Sequence, residues 1–340
     1  MKTLKTERIP IKKLHKLRLT IIVLLALTGC ATAYKQSAKQ EKEMTFTLIP
    51  EKEGADIGLA GSGKATIQWG DGKSDKIKLS TKSKYTAHLY SDSSFYTIVI
   101  RGKNIRMLGC NHQGIIHLDV SNNLALEKLY CAQNKLTNLD VSKNAALKEL
   151  FCAENKLTVT DVSNNLALTG LWNYGNRLTN LDISKNTALT ILTCDDNPLK
   201  SLDVSKNRAL QHLNCSANQL TSLDVSQNTA LVKLICTNDS LTVLDISQNT
   251  ALMNIVCLHN RLTDLDVSNN PALAALDCSD NNFSETALNM IFGALNDRKF
   301  KGTVIGFSAN QKVICVGENP GAAYCNKSIA EKKGWRVIAE

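Results

Sequence analysis

Apolar and polar positions repeat along this chain with a period of 21 residues, from residue 105 to residue 283. One unit, which begins at Leu147, has the idealised form L-x-x-L-x-C-x-x-N-x-L-T-x-L-D-V-S-x-N-x-A. The alternation in L-x-C points Leu150 and Cys152 the same way, and Leu139-Asp140-Val141 alternates in the same manner. Because a unit this short cannot fold alone, neighbouring units must stack on it. The pattern predicts a solenoid of about nine coils, each with two short extended segments.

Cysteine occupies one inward position in nearly every unit. Neighbouring thiols would point the same way from adjacent strands about 4.8 Å apart, which suits a buried stack better than the facing geometry of disulfides. Cysteine then serves as a small apolar core residue. Asn173 interrupts the ladder and Thr160 stands where other units have leucine, so we expect the third and fourth coils to be locally distorted. The ladder positions are Cys110, Cys131, Cys152, Cys194, Cys215, Cys236, Cys257 and Cys278.

Two columns of asparagine recur with the same period. A corner of a coil removes backbone N–H and C=O groups from the sheet, and a short amide side chain can satisfy them. We therefore interpret both columns as structural. The first column contains Asn134, Asn155, Asn176, Asn197, Asn218, Asn260 and Asn281, with Gln113 and Asp239 as substitutes. The second contains Asn123, Asn144, Asn165, Asn186, Asn207, Asn228, Asn249 and Asn270.

These repeats resemble the bacterial leucine-rich repeats, specifically the 21-residue subtype with a cysteine ladder found in internalin-like surface proteins. The resemblance covers residues 105–283. It implies a right-handed coil with a parallel sheet on the concave side. A short extended convex wall would make the curvature slight.

Residues 44–104 alternate in short apolar runs separated by turn signals, which is typical of strands. The turn Trp69-Gly70-Asp71-Gly72 and the run Tyr96-Thr97-Ile98-Val99-Ile100 resemble a PKD-like, immunoglobulin-type domain. We expect a small β-sandwich here. Since no linker separates Ile100 from the first coil, the sandwich should also cover the first edge of the solenoid.

Residues 284–340 lack the 21-residue period. Ser284 can cap a helix whose apolar residues share one face. A strand at Val304-Ile305-Gly306-Phe307, a short helix from Lys327 to Lys333 and a last strand at Trp335-Arg336-Val337-Ile338 should follow. This segment resembles the closing segment of leucine-rich-repeat lipoproteins in Gram-negative gut bacteria, and we expect an α/β cap. Two further cysteines, Cys315 and Cys325, lie outside the ladder and could form one disulfide.

The first residues have the pattern of an export signal. Residues 1–18 carry seven basic residues and one glutamate, and a short apolar run, Ile21 to Leu27, follows. This pattern predicts a signal peptide over residues 1–29. The sequence Leu27-Thr28-Gly29-Cys30 resembles a bacterial lipobox, which implies cleavage before Cys30 and acylation of that cysteine. Residues 30–43 would then form a flexible tether after the lipid anchor.

Removal of this segment changes the charge of the chain. The formal net charge of +9 would fall to +3, because seven positive charges and one negative charge are lost. No basic stripe with interleaved aromatic residues is present, so nucleic acid is excluded as a partner. We expect an outer-membrane lipoprotein of a Gram-negative bacterium. Display at the cell surface is favoured over the periplasmic face, although both orientations stay open.

The residue before each ladder position should lie on the outer face of the sheet, where solenoids engage partners. Tyr130, Phe151 and Trp172 occupy three consecutive positions, with Tyr174 beside them, in a chain that is 5% aromatic. Exposed aromatic clusters often bind proteins or sugars. Stacking that only stiffens the sheet is the alternative. His212 and Asn214 share this face and complete the set of candidate ligand-binding residues.

An aspartate column raises the question of a metal site. Stacked carboxylates about 5 Å apart repel one another unless something compensates their charge. Calcium is one possibility, but the glycine-rich calcium-binding nonapeptide is absent, so bonds to turn N–H groups are favoured. The column contains Asp119, Asp140, Asp161, Asp182, Asp203, Asp224, Asp245 and Asp266.

The sequence therefore predicts a mostly β repeat protein: a leucine-rich-repeat solenoid with little helix, preceded by a small Ig-like or PKD-like β-sandwich and closed by a small α/β cap. The histidines are scattered without triad or metal spacing, so we expect no enzyme activity and no cofactor. The favoured function is protein binding or adhesion by a monomeric, lipid-anchored envelope protein, with a host or bacterial surface protein as partner. The alternatives are glycan binding on the Tyr130, Phe151 and Trp172 patch, and a structural spacer.

Overall fold

The computed structural model describes residues 43–50, 54–297 and 312–339. The predicted signal peptide, the lipidation site Cys30, almost all of the tether and the predicted strand at residues 304–307 lie outside these ranges. None of the described helices is long and apolar enough to cross a membrane.

Six strands precede the regular repeats. They are β1 (Glu43–Leu48), β2 (Gly54–Gln68), β3 (Ser74–Lys78), β4 (Lys84–Leu89), β5 (Tyr96–Gly109) and β6 (Ile115–Asp119). Strand β2 pairs antiparallel with β4 through its first half and with β3 through its second half. Strand β5 pairs antiparallel with β1 and with β2. These pairings place the apolar runs read from the sequence in strands, while the PKD-like resemblance and the domain boundaries stay predictions.

Strand β5 joins this region to the repeats without a break. It continues past residue 104 to Gly109, and its last three residues pair in parallel with the first regular strand, at Met107↔Lys128, Leu108↔Leu129 and Gly109↔Tyr130. Its other edge is occupied there by β2, which pairs Gly58 with Gly109. One hydrogen-bonded sheet therefore runs through both regions, and side chains of the first region border the first coils.

The repeats form a parallel sheet of three-residue strands, the regular part of a β-solenoid of about ten turns. The strands are β7 (Lys128–Tyr130), β8 (Glu149–Phe151), β9 (Gly170–Trp172), β10 (Ile191–Thr193), β11 (His212–Asn214), β12 (Lys233–Ile235), β13 (Asn254–Val256) and β14 (Ala275–Asp277). Each strand from β7 to β13 pairs in register with the next strand, whose equivalent residues lie 21 positions later, as in Leu150↔Leu171. All eight ladder cysteines are fully buried free thiols, which confirms their predicted role in the core.

On the wall opposite the sheet, the first coil contributes β6, which pairs with β1, and the later described coils have no second strand there. Leu139 and Val141 are buried and Asp140 is exposed, as the alternation predicted, but no ladder forms there. A turn follows instead, in which Asn144 N–H donates to the Val141 carbonyl at 2.9 Å. The prediction of a second extended segment was therefore right for burial and wrong for strand pairing.

Both asparagine columns bind backbone groups, as predicted. In the first column, Asn155 Nδ2 donates to the carbonyls of Cys131 and Cys152 at 3.0 and 3.1 Å. Its Oδ1 accepts from the Leu136 N–H at 3.0 Å. In the second column, Asn144 Nδ2 donates to carbonyls of the preceding coil, at Val120 and Asn123. Each asparagine thus connects its own coil to the one before it.

Thr160 and Asn173, the two exceptions to the repeat, bind each other. Asn173 Nδ2 donates to Thr160 Oγ1 at 3.0 Å, and both side chains are buried. Asn173 Oδ1 accepts from Asn176 Nδ2 at 3.0 Å and lies 3.4 Å from the Cys152 thiol. Strands β8, β9 and β10 keep their register on either side. The expected local distortion was wrong, because the paired polar groups satisfy each other inside the core.

The end of the chain continues the parallel sheet. Its elements are α1 (Glu285–Ala294), β15 (Lys312–Cys315), α2 (Ser328–Glu331) and β16 (Trp335–Ile338). Ser284 caps α1 as predicted, since its hydroxyl accepts from the Ala287 N–H at 3.1 Å. The sequence did not predict β15, which pairs with β14 and with β16.

Strand β15 contains Cys315, one of the two cysteines outside the ladder. Cys315 pairs in register with Asp277, so it stands one position away from the ladder, and the buried Val316 follows it. Cys315 and Cys325 are both free thiols, and the possible disulfide between them is not formed.

The Thr160–Asn173 contact predicts a coupled pair of substitutions. Thr160→Leu or Asn173→Cys alone leaves a buried polar group without its partner and should cost about 1–3 kcal/mol of unfolding free energy. The double substitution restores the apolar repeat, so the two effects should be non-additive by about 1 kcal/mol or more. Urea unfolding of the four proteins measures this coupling. Asn173→Cys combined with the distant Leu223→Thr is the control and should be additive; equal behaviour of the two cycles would contradict the interpretation.

Candidate functional site

On the outer face of the parallel sheet, each strand has one residue directly before the ladder position. We call this set the sheet-face column. Its members are in register from strand to strand, and those from Tyr130 onward are half-buried. The inward positions must be apolar to fill the core, whereas this column is free of that requirement. The members are Gly109, Tyr130, Phe151, Trp172, Thr193, Asn214, Ile235, Val256 and Asp277.

Three of the predicted aromatic residues form one cluster. The ring centroids of Phe151 and Trp172 are 6.1 Å apart with planes at 72°, and those of Phe151 and Tyr174 are 6.0 Å apart at 49°. The first pair is edge-to-face and the second is tilted, and aromatic pairs at such distances add about 0.5–1.5 kcal/mol beyond the burial of their area. We call Phe151, Trp172 and Tyr174 the aromatic cluster.

A glycine on the neighbouring position makes room for Trp172. A Cβ atom on Gly170 would lie 2.5 Å from two carbon atoms of the indole, Cζ3 and Cη2. Because real Cβ atoms do not come this close to a ring, any larger residue at position 170 would displace the indole. Gly170 therefore allows Trp172 to lie against its own strand.

Tyr130 has a different environment from the aromatic cluster. Its hydroxyl donates to Glu149 on the next strand, and the same carboxylate accepts from Lys128 Nζ at 2.7 Å. Burial, together with Glu149, raises the pKa of Tyr130, so the phenol stays protonated and acts as a donor. Burial would raise the pKa of Glu149, but the hydrogen bonds from Lys128 and Tyr130 outweigh it and lower that pKa.

Sequence reasoning missed Tyr85, which lies beside the start of the sheet-face column. A Cβ atom on Gly58 would lie 2.8 Å from its ring, and one on Gly109 would lie 3.1 Å from its hydroxyl oxygen. Tyr85 is 54% exposed. Gly109 stands in the column where the next coil has Tyr130, so an aromatic ring from another strand covers the position that glycine leaves open. A glycine at the head of an aromatic column was the signal available in the sequence.

His212 and Asn214 do not join the aromatic cluster. Asn214 lies two strands from Trp172, which corresponds to about 10 Å at the usual strand spacing. Its Oδ1 accepts from the Ser216 N–H at 3.2 Å. Burial lowers the pKa of His212, with Lys233 adding to the effect, so its imidazole is neutral at physiological pH. The structure thus divides the predicted site residues into an aromatic cluster, Tyr130, and a separate polar pair.

The aspartate column caps its own turns. In each coil from Asp119 to Asp266, one carboxylate oxygen accepts from the N–H of the serine two residues later, at 2.8–2.9 Å. At Asp140 the bonds from Ser142 lower the pKa of the carboxyl group. These bonds are the ones that the sequence favoured over calcium. Within the described ranges, no group of three or more histidine, cysteine or acidic side chains is arranged to hold a metal ion.

Asp239 is a carboxyl group with a raised pKa, the property that a general acid would need. It stands in the first asparagine column, where its Oδ1 accepts from the Asn218 and Leu220 N–H groups at 3.2 Å. Its buried Oδ2 has no partner and takes the place of the amide Nδ2 that donates to carbonyls in other coils. Burial raises the pKa of Asp239 to about 6. The buried corner position of Asp239 thus explains its raised pKa, and a catalytic role is not needed to account for it.

Solved structures with this fold are leucine-rich-repeat proteins. The functional domain of InlJ from Listeria monocytogenes, which includes a cysteine ladder, aligns with a TM-score of 0.54 and 29% identity over 69% of this chain and 53% of its own. A leucine-rich-repeat protein of Leptospira interrogans aligns with a TM-score of 0.50 and 25% identity, covering 52% of this chain and 48% of its own. The leucine-rich-repeat domain of APL1B, at a TM-score of 0.51 and 22% identity over 63% of this chain and 62% of its own, supports the fold alone.

The chain spans about half the length of the first two of these structures. No protein-family model matches the sequence, and no curated protein matches it either. The solved neighbours are leucine-rich-repeat proteins. The described chain is therefore a leucine-rich-repeat-like β-solenoid with a cysteine ladder, similar to internalin-like proteins, as the repeats predicted.

The corner position of Asp239 predicts a pH-dependent gain from Asp239→Asn. Since the folded pKa of about 6 lies above the ordinary value of 3.8, the folded state binds more protons between these values, and its stability falls as the pH rises through them. Asparagine removes this loss and restores the amide donor. Urea unfolding should show little gain near pH 4 and a gain on the order of 2 kcal/mol near pH 7.5. Asn218→Asp, the matched control, should show the opposite trend, and a gain independent of pH would contradict this account.

Proposed function

We propose that this chain is a lipid-anchored cell-envelope protein that binds another protein on the outer face of its parallel sheet. The observation that carries the proposal is the aromatic cluster of Phe151, Trp172 and Tyr174, half-buried on that face. Tryptophan and tyrosine dominate the binding energy of protein interfaces, because they offer a large rigid surface. The solved neighbours, which are internalin-like, support an interaction or adhesion scaffold as the general class.

The surroundings of the cluster favour a protein over a small ligand. The sheet-face column continues through Thr193, Asn214, Ile235 and Val256, a mixed apolar and polar strip. From Tyr130 to Asp277 the eight strands extend about 34 Å at the usual strand spacing. An extended strip with an aromatic centre and polar neighbours matches the anatomy of protein interfaces.

The geometry is less favourable to the glycan alternative at this position. A sugar platform needs ring faces that lie open and side by side, whereas Phe151 and Trp172 meet at 72°. Tyr130, the third member of the predicted platform, stands outside the aromatic cluster, and its hydroxyl is bound to Glu149. Glycan binding on this patch therefore ranks second, and the spacer hypothesis becomes an outcome of the test.

The proposal of a lipid anchor depends on the sequence before the described residues. The motif Leu27-Thr28-Gly29-Cys30 after a basic and apolar segment supports acylation of Cys30. Acyl chains contribute about 0.8 kcal/mol for each buried methylene, and two or more hold a protein at a membrane. Attachment to the outer membrane with the solenoid at the cell surface would present the sheet face to external partners.

Photo-crosslinking from the aromatic cluster tests the binding function. A benzoylphenylalanine at position 172 on intact cells should yield a defined protein adduct, whereas one at Val243, an exposed residue outside the strands, should not. With the captured partner purified, Trp172→Ala should weaken affinity about 30-fold, as for an interface hot spot, and Val243→Ala should change it less than about twofold. Adducts of equal yield from both positions would contradict the proposal. Trp172-dependent signals on a polysaccharide array would favour glycan binding, and the absence of any partner would favour the spacer.

Protease accessibility tests the anchor and its orientation. If the protein is lipidated and displayed, external protease should digest it on intact cells, and Cys30→Ser should release it from the cells. A chain that is protected until the outer membrane is opened would place the solenoid in the periplasm and remove external partners from consideration. A periplasmic protein of known location is the control for membrane integrity.

A further inference from the structure

A cleft opens beside the aromatic residues, between the first β region and the first coils. Its volume is about 580 Å³, within the range of small-molecule sites. The walls come from β2, from the segment between β3 and β4, and from β5 and β7. The residues that matter for its chemistry are Ser62, Thr81, Ser83, Arg106, Lys128 and Tyr130.

The cleft is built at an irregular part of β2. The register between β2 and β5 shifts at Ala60/Gly61 and again between Ser62 and Ala65. Such bulges redirect side chains and are common beside binding sites. Gly61 is required there, because a Cβ atom would lie 2.0 Å from the Asn104 carbonyl oxygen. The Gly61 N–H donates to the Ser80 carbonyl at 2.8 Å, which ties the segment carrying Thr81 and Ser83 to the cleft wall.

Charge around the cleft is positive. Glu127 accepts from Arg106 at 3.0 Å and from Lys148 at 3.0 Å, while Glu149 accepts from Lys128 at 2.7 Å. Three cations thus meet two carboxylates, and the exposed Lys82 and Lys84 flank Ser83 on the opposite wall. The Arg106 side chain is 64% exposed and has further N–H groups beyond the one bound to Glu127. An anionic ligand is therefore favoured over a neutral or cationic one.

Hydroxyl groups and a ring indicate which kind of anion fits. Three wall residues, Ser62, Thr81 and Ser83, offer hydroxyls that both donate and accept. The Tyr130 ring lines the same cleft, while its hydroxyl is bound to Glu149. Alternating hydroxyls, a ring face and a guanidinium complement the hydroxyls, C–H face and carboxylate of an acidic sugar. An acidic peptide would use the cations but not this combination of hydroxyls and ring.

We propose that this cleft binds an acidic saccharide, a sugar chain with carboxylate groups, through Arg106, Lys128, Tyr130 and the hydroxyls of Thr81 and Ser83. The site is separate from the aromatic cluster and does not depend on the proposed protein-binding function. It adds a second ligand class at the junction of the two regions.

Isothermal titration of the full-length protein in detergent with trigalacturonate tests this assignment. Trigalacturonate should bind, and the neutral maltotriose should not. Arg106→Gln and Lys128→Gln should each weaken binding about tenfold, the usual loss of one charged hydrogen bond. Neither change should unfold the protein, because Glu127 keeps Lys148 and Glu149 keeps Tyr130. Arg208→Gln, an exposed arginine of a later coil, is the matched control and should leave binding unchanged.

A second comparison separates a sugar site from a general anion site. Thr81→Val with Ser83→Ala keeps the charge and should weaken trigalacturonate binding several-fold. Trp172→Ala should leave it unchanged, so that failure of this site and failure of the protein-binding surface are distinguishable. Absence of trigalacturonate binding would overturn the proposal. So would trigalacturonate binding that Arg106→Gln leaves unchanged, or a tri-glutamate peptide that binds the wild type as tightly as trigalacturonate does.

Discussion

Every corner of a coil leaves backbone N–H and C=O groups that the parallel sheet cannot pair, and their satisfaction is the constraint on which this structure depends. The first asparagine column satisfies them by joining two neighbouring coils through one amide. Asn155, for example, binds Cys131 and Leu136 of one coil and Cys152 of the next. A buried backbone group without a partner costs about 1–3 kcal/mol, and each coil would have several. Stacking therefore depends on these amides as much as on the leucines and cysteines inside.

The same corners require a left-handed backbone at one residue per coil. The residue directly before each position of the first asparagine column has a φ of 51–58° in the eight coils where it is not glycine, and of 62° at Gly175. A residue with a Cβ atom pays about 1–2 kcal/mol for this conformation. The coils tolerate this cost because the amide side chain of the following residue holds the corner in this conformation through its hydrogen bonds. Asp239 shows the limit of tolerance: its carboxyl group accepts as asparagine does, but its second oxygen is buried without a partner, and burial raises its pKa to about 6.

The outer face of the sheet escapes these requirements, and the candidate sites lie there. The inward positions of the repeat hold leucine, isoleucine, valine and cysteine, apart from Thr160 and Asn173, which bind each other. The sheet-face column, by contrast, holds residues as different as Trp172, Asn214 and Asp277. An aromatic cluster and a positively charged cleft can therefore stand on neighbouring strands without altering the coil. One solenoid can thus present two candidate binding surfaces.

The sequence by itself determined the coil, because a strict period of 21 residues repeats the same local problem and the same solution. It predicted the ladder, both asparagine columns, the turn-capping aspartates and the column that carries Phe151 and Trp172. Only the tertiary structure decided which residues meet: Thr160 contacts Asn173, Tyr130 contacts Glu149, and Tyr85 covers Gly109. It also separated His212 and Asn214 from the aromatic cluster. It further revealed the strand β15, and it placed a cleft beside β2. Thr160 and Asn173 are departures from the period, and Tyr130 and Glu149 hold different positions in neighbouring units. Tyr85 and β2 lie outside the repeat. Because the period relates only equivalent positions, the pattern alone could not assign these contacts.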